Sequence, residues 1–184
     1  ADSYRRLRNT LRFLLGSLNG FDEAERISPA EMPELERWVL HRLAELDALV
    51  RKGYGEYDFQ HVFQQLFQFC TVDLSSFYFD IRKDALYCDA ASSPRRRAAR
   101  TVLDLLFHRL VTWLAPMLAF TMEEVWLDRF PSEDGSVHLQ DFPATPADWL
   151  DADLAAKWEQ VRRARRVVTG ALEVERRDKR IGAS

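Results

Sequence analysis

Leucines recur at helical spacing from the beginning of the chain, and this periodicity limits the fold more than any other feature. The first members of the series are Leu7, Leu11, Leu14 and Leu18. Steps of three and four residues bring such side chains onto one face of an α-helix, where they can pack against a core. Gly20 readily takes the left-handed conformation that ends a helix, so the pattern predicts a first helix that closes near Asn19 and Gly20.

The same periodicity predicts helices further along the chain. Pro33 suits the first turn of a second helix, and the segment Gly53-Tyr54-Gly55 ends it. Asp58 is a suitable cap for a third helix, whose apolar stripe over residues 59–81 is rich in aromatic side chains. We expect this aromatic segment to form the centre of the core and an irregular stretch around residues 84–92 to follow it.

Three more helices are predicted in the second half. Ser93 and Pro94 provide a cap and a first position for the fourth helix, which Pro116 ends or kinks. Residues 121–124 have the Thr-x-x-Glu form of a capping box, which predicts a short fifth helix beginning there. Residues 153–184 are predicted to form a long C-terminal helix crowded with arginines.

The composition agrees with this succession of helices. The chain has 184 residues, of which 47% are hydrophobic, and this is enough for one core without disulfides or metal. Seven glycines and seven prolines are few for a fold with many turns. We therefore predict an all-α fold, an antiparallel bundle of about five to six helices, that forms one domain over residues 1–184.

Charge is distributed unevenly, although the net charge is only -3. Residues 1–20 sum to +3 and residues 155–184 to +5, whereas residues 21–49 sum to -5 and residues 131–154 to -6. A protein with an acidic total can thus present a basic face, which is the electrostatic requirement for binding a phosphate backbone. The net charge therefore excludes no class of partner.

Motifs of enzyme active sites are missing from the sequence. There is no phosphate-binding GxxxxGK[ST] loop, no HExxH motif and no serine nucleophile elbow. Cys70 and Cys88 are too few for a disulfide framework and have no zinc-ligand spacing around them, which favours a reducing cytoplasm. No apolar run approaches the length of a membrane span. We expect a cytoplasmic chain without catalytic residues, metal or cofactor of its own and without a membrane partner.

Several segments in order along the chain resemble the anticodon-binding domain of the isoleucyl-tRNA synthetase family, a class I aminoacyl-tRNA synthetase. The first is SYRRLRNTLRFLLGSLNGFD at residues 3–22. It is followed by SFYFDIRKD at 76–84, LAPMLAFTMEEVW at 114–126 and RDKRIGAS at 177–184. The Arg8-Asn9 pair and the Pro-x-x-x-Phe-x-x-Glu-Glu-x-Trp pattern are shared with the valine, leucine and methionine enzymes, whereas the second segment favours isoleucine.

This resemblance implies that the chain is a fragment of a longer ligase. The adenylate-forming signatures of the family, His-Ile-Gly-His and Lys-Met-Ser-Lys-Ser, do not occur in it. ATP and Mg would belong to a catalytic core outside this chain. In many family members a cysteine-rich C-terminal region that binds Zn follows the bundle, and the last helix would lead towards such a C-terminal region. Its partners would be the rest of the synthetase and the anticodon stem-loop of an isoleucine tRNA.

The resemblance also suggests which side chains meet the RNA, because the first helix of related bundles faces the anticodon. The candidate tRNA-binding residues are Tyr4, Arg5, Arg8, Arg12, Arg82, Lys83 and Tyr87. Arg5, Arg8 and Arg12 form a ridge opposite the leucine stripe, which we call the α1 ridge. We expect Arg5 and Arg12 to contact phosphates, and Arg8, which matches the Arg-Asn of the family, to contact a base.

Two other interpretations follow from the same residues. The chain can be the corresponding domain of the valine, leucine or methionine enzyme, or a non-catalytic helical bundle that binds other proteins. A di-metal bundle enzyme is disfavoured because the Glu-x-x-His pairs that such a site requires are missing from the sequence. Salt-sensitive binding of tRNA distinguishes the synthetase domains from a protein-binding bundle.

Overall fold

The computed structural model describes residues 2–182, and within that range it contains helices and turns but no strand. The expectation of an all-α bundle is confirmed. The α-helices are α1 (Asp2–Leu18), α2 (Glu34–Gly55), α3 (Phe59–Gln68), α4 (Phe79–Cys88), α5 (Pro94–Leu114), α6 (Ala119–Arg129) and α7 (Ala152–Arg177). A π-helical segment, Phe69–Tyr78, joins α3 to α4, so that the seven helices form six rods. The chain divides into two compact units at residues 150 and 151, and α7 belongs to the second.

Successive rods of the first unit run in opposite directions. Val62 of α3 packs against the C-terminal part of α2, whereas Arg82 of α4 reaches Glu36 near the N-terminus of α2. Arg100, early in α5, donates to the carbonyl of Ser17, late in α1. This alternation places α1, α3–α4 and α6 parallel to one another and opposite to α2 and α5.

The ends of the first helices follow the sequence signals. Gly20 has a φ of 65°, the left-handed conformation expected after α1. Gly53 has a different role from the one expected, since it lies inside α2 and is buried. A Cβ atom there would lie 2.4 Å from Cγ2 of Val62, so the glycine lets α3 approach the backbone of α2 closely.

The aromatic segment over residues 59–81 departs from the expected single α-helix. Within its π-helical part, the hydroxyls of Ser75 and Ser76 donate to carbonyls five residues earlier. Each π turn holds an extra residue and rotates everything after it around the helix axis. The predicted stripe is therefore interrupted, and Ile81, which follows the π-helical part, is exposed. Phe59, which precedes that part, is exposed as well. The irregular stretch expected from residue 84 begins only after Cys88.

The centre of the core is α5, not the aromatic segment. Fifteen of the 21 residues of α5 are buried, because neighbouring helices cover it on several sides. One of them, Asp104, pairs with Arg26, Arg129 and His108. Burial alone would raise the pKa of Asp104, but hydrogen bonds from these three side chains outweigh it and hold the pKa well below its usual range.

The second unit consists mainly of α7, which Asp151 caps by accepting a hydrogen bond from the amide of Leu154 at 2.9 Å. The long C-terminal helix expected over residues 153–184 thus ends at Arg177, and residues 178–182 form turns. Residues 183 and 184 lie outside the described range. Leu154 is the one buried residue of α7, and most of its apolar stripe is exposed.

Candidate nucleic-acid interface

The α1 ridge faces solvent along the whole length of its helix. The leucine stripe fixes this orientation, since Leu7, Leu11, Leu14 and Leu18 are all buried on the opposite side. Near the N-terminus, Asp2 accepts hydrogen bonds from Arg5 and from Arg6, each at 2.7 Å. These exposed ion pairs are weak, so both arginines are available to a phosphate.

Arg8 contacts α6 through an ion pair that is itself exposed. Its guanidinium donates to Oε1 of Glu124 at 3.1 Å and to the hydroxyl of Tyr4 at 3.4 Å. The Tyr4 hydroxyl in turn lies 3.0 Å from Oγ1 of Thr121. Two of these contacts join the N-terminal halves of α1 and α6, and the contact within α1 helps them to orient the Arg8 side chain.

Thr121 therefore does not have the capping role that the sequence suggested. The helix begins at Ala119, two residues earlier, and no side chain caps its first turn. Thr121 instead bonds to Tyr4, and Glu124 pairs with Arg8. A Thr-x-x-Glu pattern satisfies a capping box only at a helix start, and inside a helix the same residues are free to meet a neighbour.

Arg12 differs from the rest of the α1 ridge because it pairs with no carboxylate among the residues that the structure describes. It lies beside a cleft between α1 and α6. The narrow part of this cleft has a volume of about 180 Å³ and the wide part about 620 Å³. Arg12, Leu15 and Asp128 line both parts, so the two form one continuous depression.

Arg82 is half-buried and paired with a buried carboxylate in this structure. Its guanidinium donates twice to the carboxylate of Glu36, at 2.5 and 2.6 Å, and only 12% of its side chain is exposed. The hydroxyl of Tyr78 donates to the same carboxylate. A buried carboxylate of this kind needs its cationic partner, so the geometry gives Arg82 a structural role.

The other two candidates on α4 are accessible. Lys83 donates to Asp80 at 3.1 Å in an exposed pair, and 69% of Tyr87 is exposed. Tyr87 lies in the last turn of α4, and no hydrogen bond of its side chain is present among the described residues. A solvent-facing tyrosine is well suited to stack on an unpaired base.

The seven candidates form two groups. Phe13 of α1 stacks on Phe79 of α4 with ring centroids 4.2 Å apart, which aligns these two parallel helices. Tyr4 precedes that point by nine residues and Tyr87 follows it by eight. With a rise of 1.5 Å per residue, the two tyrosines are separated by roughly 25 Å along the helix axes. The structure thus brings Tyr4 and Arg8 together and places Lys83 and Tyr87 towards the opposite end of α1.

Sequence reasoning missed Phe120 and Glu124. Phe120 is 93% exposed and immediately precedes Thr121, at the end of the bundle where Tyr4 lies. Met122, Val125 and Trp126 form the buried stripe of α6, and Phe120 lies outside it. Its position off the apolar stripe could have indicated from the sequence that Phe120 is exposed. No comparable signal exists for Glu124, because its partner Arg8 is 116 residues away.

On α7, arginine side chains cover much of the surface between residues 162 and 166. Arg163 and Arg166 make no ion pair with any described residue. They form a second basic surface, which was not among the candidate sites.

No group of three or more metal-ligating side chains is present in residues 2–182. Among the helices in that range, none combines the length and apolar character needed to cross a membrane. The accessible surfaces described above present arginine, lysine and tyrosine side chains. The chemistry available to them is recognition through charge, hydrogen bonding and stacking.

Comparison with known proteins identifies the family. Residues 36–184 match the family described as the anticodon-binding domain of tRNA ligase. The chain belongs to this family. This confirms the resemblance to an anticodon-binding domain that the sequence segments indicated.

Similar proteins across the whole chain are isoleucine–tRNA ligases. That of Ruegeria pomeroyi is 69% identical over 185 aligned residues, that of Brucella abortus 60% over 183 and that of Agrobacterium fabrum 59% over 183. All of this chain is covered in each case, but it spans only 19% of the length of these relatives. The comparison therefore concerns one domain of much longer proteins.

Proposed function

We propose that this chain is the anticodon-binding domain of an isoleucine–tRNA ligase and that it binds the anticodon stem-loop of an isoleucine tRNA. The identity of 69% over the whole chain carries the proposal. The names of the similar proteins favour isoleucine over valine, leucine or methionine, and the family favours RNA over a protein partner.

The accessible candidates divide by the chemistry of their contacts. Arg5 and Lys83 are exposed cations, and each pairs only with a nearby exposed aspartate on its own helix. Both are therefore suited to contact phosphates. Arg8 is held in one direction by Glu124, and Tyr87 offers an open ring, so these two are suited to bases. Arg82 would act indirectly, because its ion pair with Glu36 fixes α4, which positions Lys83 and Tyr87.

The rest of the proposed enzyme would complete the reaction. A catalytic core outside this chain would activate isoleucine with ATP and Mg and transfer it to the tRNA, and a C-terminal region would hold Zn. The domain itself would contribute affinity and choice of tRNA, with no chemical step of its own. Its partners would be that longer polypeptide and the tRNA in the cytoplasm.

Binding to RNA can be measured directly with this chain. We expect a labelled isoleucine anticodon stem-loop to bind with an affinity that falls steeply as salt rises, because each phosphate contact releases counterions. Arg5→Ala should lower the salt slope by about one charge and weaken all tRNAs alike. Lys52→Ala, which removes a similar exposed charge from α2, is the matched control and should leave the slope unchanged.

Two results would contradict the proposal. Binding that does not respond to salt would favour the protein-binding alternative. Equal affinity for stem-loops of isoleucine, valine and methionine tRNAs would mean that the domain binds RNA but does not distinguish between anticodons.

A further inference from the structure

Side-chain contacts bridge the cleft between α1 and α6 at one end, and the cleft is open at the other. At the N-terminal ends of the two helices, Tyr4 bonds to Thr121 and Arg8 bonds to Glu124. Beyond these contacts the cleft widens, and its wide part of about 620 Å³ lies between the last turns of both helices. This volume falls within the range of about 300–1,000 Å³ typical of small-ligand sites.

Three polar side chains at the rim of the cleft have no partner. Arg12, Asn19 and Asp128 line it, and their side chains make no hydrogen bond or ion pair with any residue in the range 2–182. Arg12 and Asp128 carry opposite charges and line both parts of the cleft, yet they form no salt bridge with each other. Their hydrogen-bonding capacity is therefore available to a ligand between them.

Apolar side chains form part of the cleft lining, and the approach to them is unobstructed. Leu15, Leu18, Phe21 and Phe130 contribute apolar surface. Gly16 carries no side chain, and a Cβ atom built there would meet nothing within 4 Å. The other cation that lines the wide part, Arg129, forms an ion pair with the buried carboxylate of Asp104. A flat ligand can thus lie against these apolar side chains while its polar edge faces Arg12, Asn19 and Asp128.

We infer that this cleft binds one unstacked nucleobase of the RNA proposed above. A base is flat, and its edge presents hydrogen-bond donors beside acceptors. Arg12 donates to the acceptors, Asp128 accepts from the donors, and the Asn19 amide can do either. A phosphate fits less well, because the carboxylate of Asp128 repels it. This changes the expectation for Arg12 from a phosphate contact to a base contact.

The inference rests on the proposed function but is tested separately from it. Each nucleotide of the anticodon loop is replaced in turn by an abasic one, and the affinity of each stem-loop is measured for the unchanged protein, Arg12→Ala and Asp128→Asn. One abasic position should weaken binding by the unchanged protein roughly 5- to 150-fold, the usual range for one well-recognised base. The same position should have little further effect on either variant, because the contact is already lost.

Controls remove the same charges elsewhere. Lys52→Ala on α2 and Asp141→Asn in the exposed loop after α6 should leave the abasic profile of the unchanged protein intact. Circular dichroism spectra of Arg12→Ala and Asp128→Asn should match that of the unchanged chain, since both side chains are exposed.

The possible outcomes separate the two proposals. Salt-sensitive binding in which every abasic position affects all proteins equally would overturn the base site and leave the proposed function intact. A uniform gain of affinity in Asp128→Asn, without loss of selectivity, would also overturn it by showing that Asp128 only repels RNA. Failure of the unchanged chain to bind any stem-loop would overturn both.

Discussion

The first and last helices are alike in sequence and different in surroundings. Both α1 and α7 combine an apolar stripe with closely spaced arginines. The stripe of α1 is fully covered, since each of its four leucines is at most 4% exposed. In the stripe of α7, Val168 is 58% and Leu172 is 39% exposed. Periodicity thus predicts that a helix forms and which face is apolar, but not whether anything covers that face.

This difference should be largest in amide hydrogen exchange. The central amides of α1 are expected to exchange only when the bundle unfolds, at a free energy of about 5–15 kcal/mol. A helix of 26 residues with one buried side chain is only marginally stable, so amides near Val168 should exchange faster by several orders of magnitude. Exchange measured by NMR checks this, and equal protection of the two helices would break the comparison.

Truncation of matched leucines should give the next largest effect. Leu14→Ala leaves a cavity under α1 and is expected to lower the free energy of unfolding by about 2–5 kcal/mol. Leu172→Ala removes the same atoms from an exposed site, so its effect should stay within about 0.5 kcal/mol. Urea denaturation of both variants tests this, and a loss above 1 kcal/mol in Leu172→Ala would show that the stripe of α7 is covered in solution.

Acid should weaken the bundle through Asp104, which lies in α5 and has no counterpart among the buried residues of α7. Asp104 has its pKa held well below the value of an unfolded aspartate, so its stabilising contribution is present above about pH 4 and is lost as pH falls towards the folded pKa. Stability followed by urea denaturation should therefore decline below about pH 4. Asp104→Asn should show a flatter decline from a lower starting value, and an unchanged pH profile in this variant would remove Asp104 as the cause.

The smallest contrast concerns RNA binding by single arginines. Arg8 is oriented by Glu124 and Tyr4, whereas Arg163 of α7 makes no ion pair with any residue in the range 2–182. Arg8 therefore loses less side-chain freedom on binding than Arg163. Arg8→Ala is expected to lower stem-loop affinity roughly 5- to 150-fold and to erode discrimination between anticodons. Arg163→Ala should cost less, and equally for all anticodons. Equal losses in both variants would place the two arginines in the same class of phosphate contact.

Local signals were sufficient for most helices and their ends. The spacing of Leu7 to Leu18, the glycine at position 20 and the Ser93-Pro94 pair each act within one or two helical turns. The π-helical segment was not predictable, because its extra residue follows from tertiary packing and leaves no change in composition. Its effect was to interrupt the predicted buried stripe, so that Ile81, which follows the extra residues, is exposed.

The candidate site was predictable only in part, for the same physical reason. Sequence indicated that Arg8 and Arg12 point outward, since both lie opposite the leucine stripe. It could not show that Glu124 pairs with Arg8 or that Arg82 pairs with the buried carboxylate of Glu36. Nor could it show that Arg12 has no ion-pair partner among residues 2–182. Each of these depends on a partner about 46 or more residues away, or on the absence of one, and helical periodicity contains no information on that scale.

The contact between Tyr4 and Thr121 spans 117 residues, and this has a consequence for synthesis on the ribosome. At about 5–20 residues per second, α1 emerges on the order of ten seconds before the residues of α6 that join it. During that interval its leucine face has no α5 or α6 to pack against. The first helix of the domain is therefore the segment that a nascent-chain chaperone would shield longest. Limited proteolysis of ribosome-bound chains stalled before residue 119 would measure this as cleavage within α1.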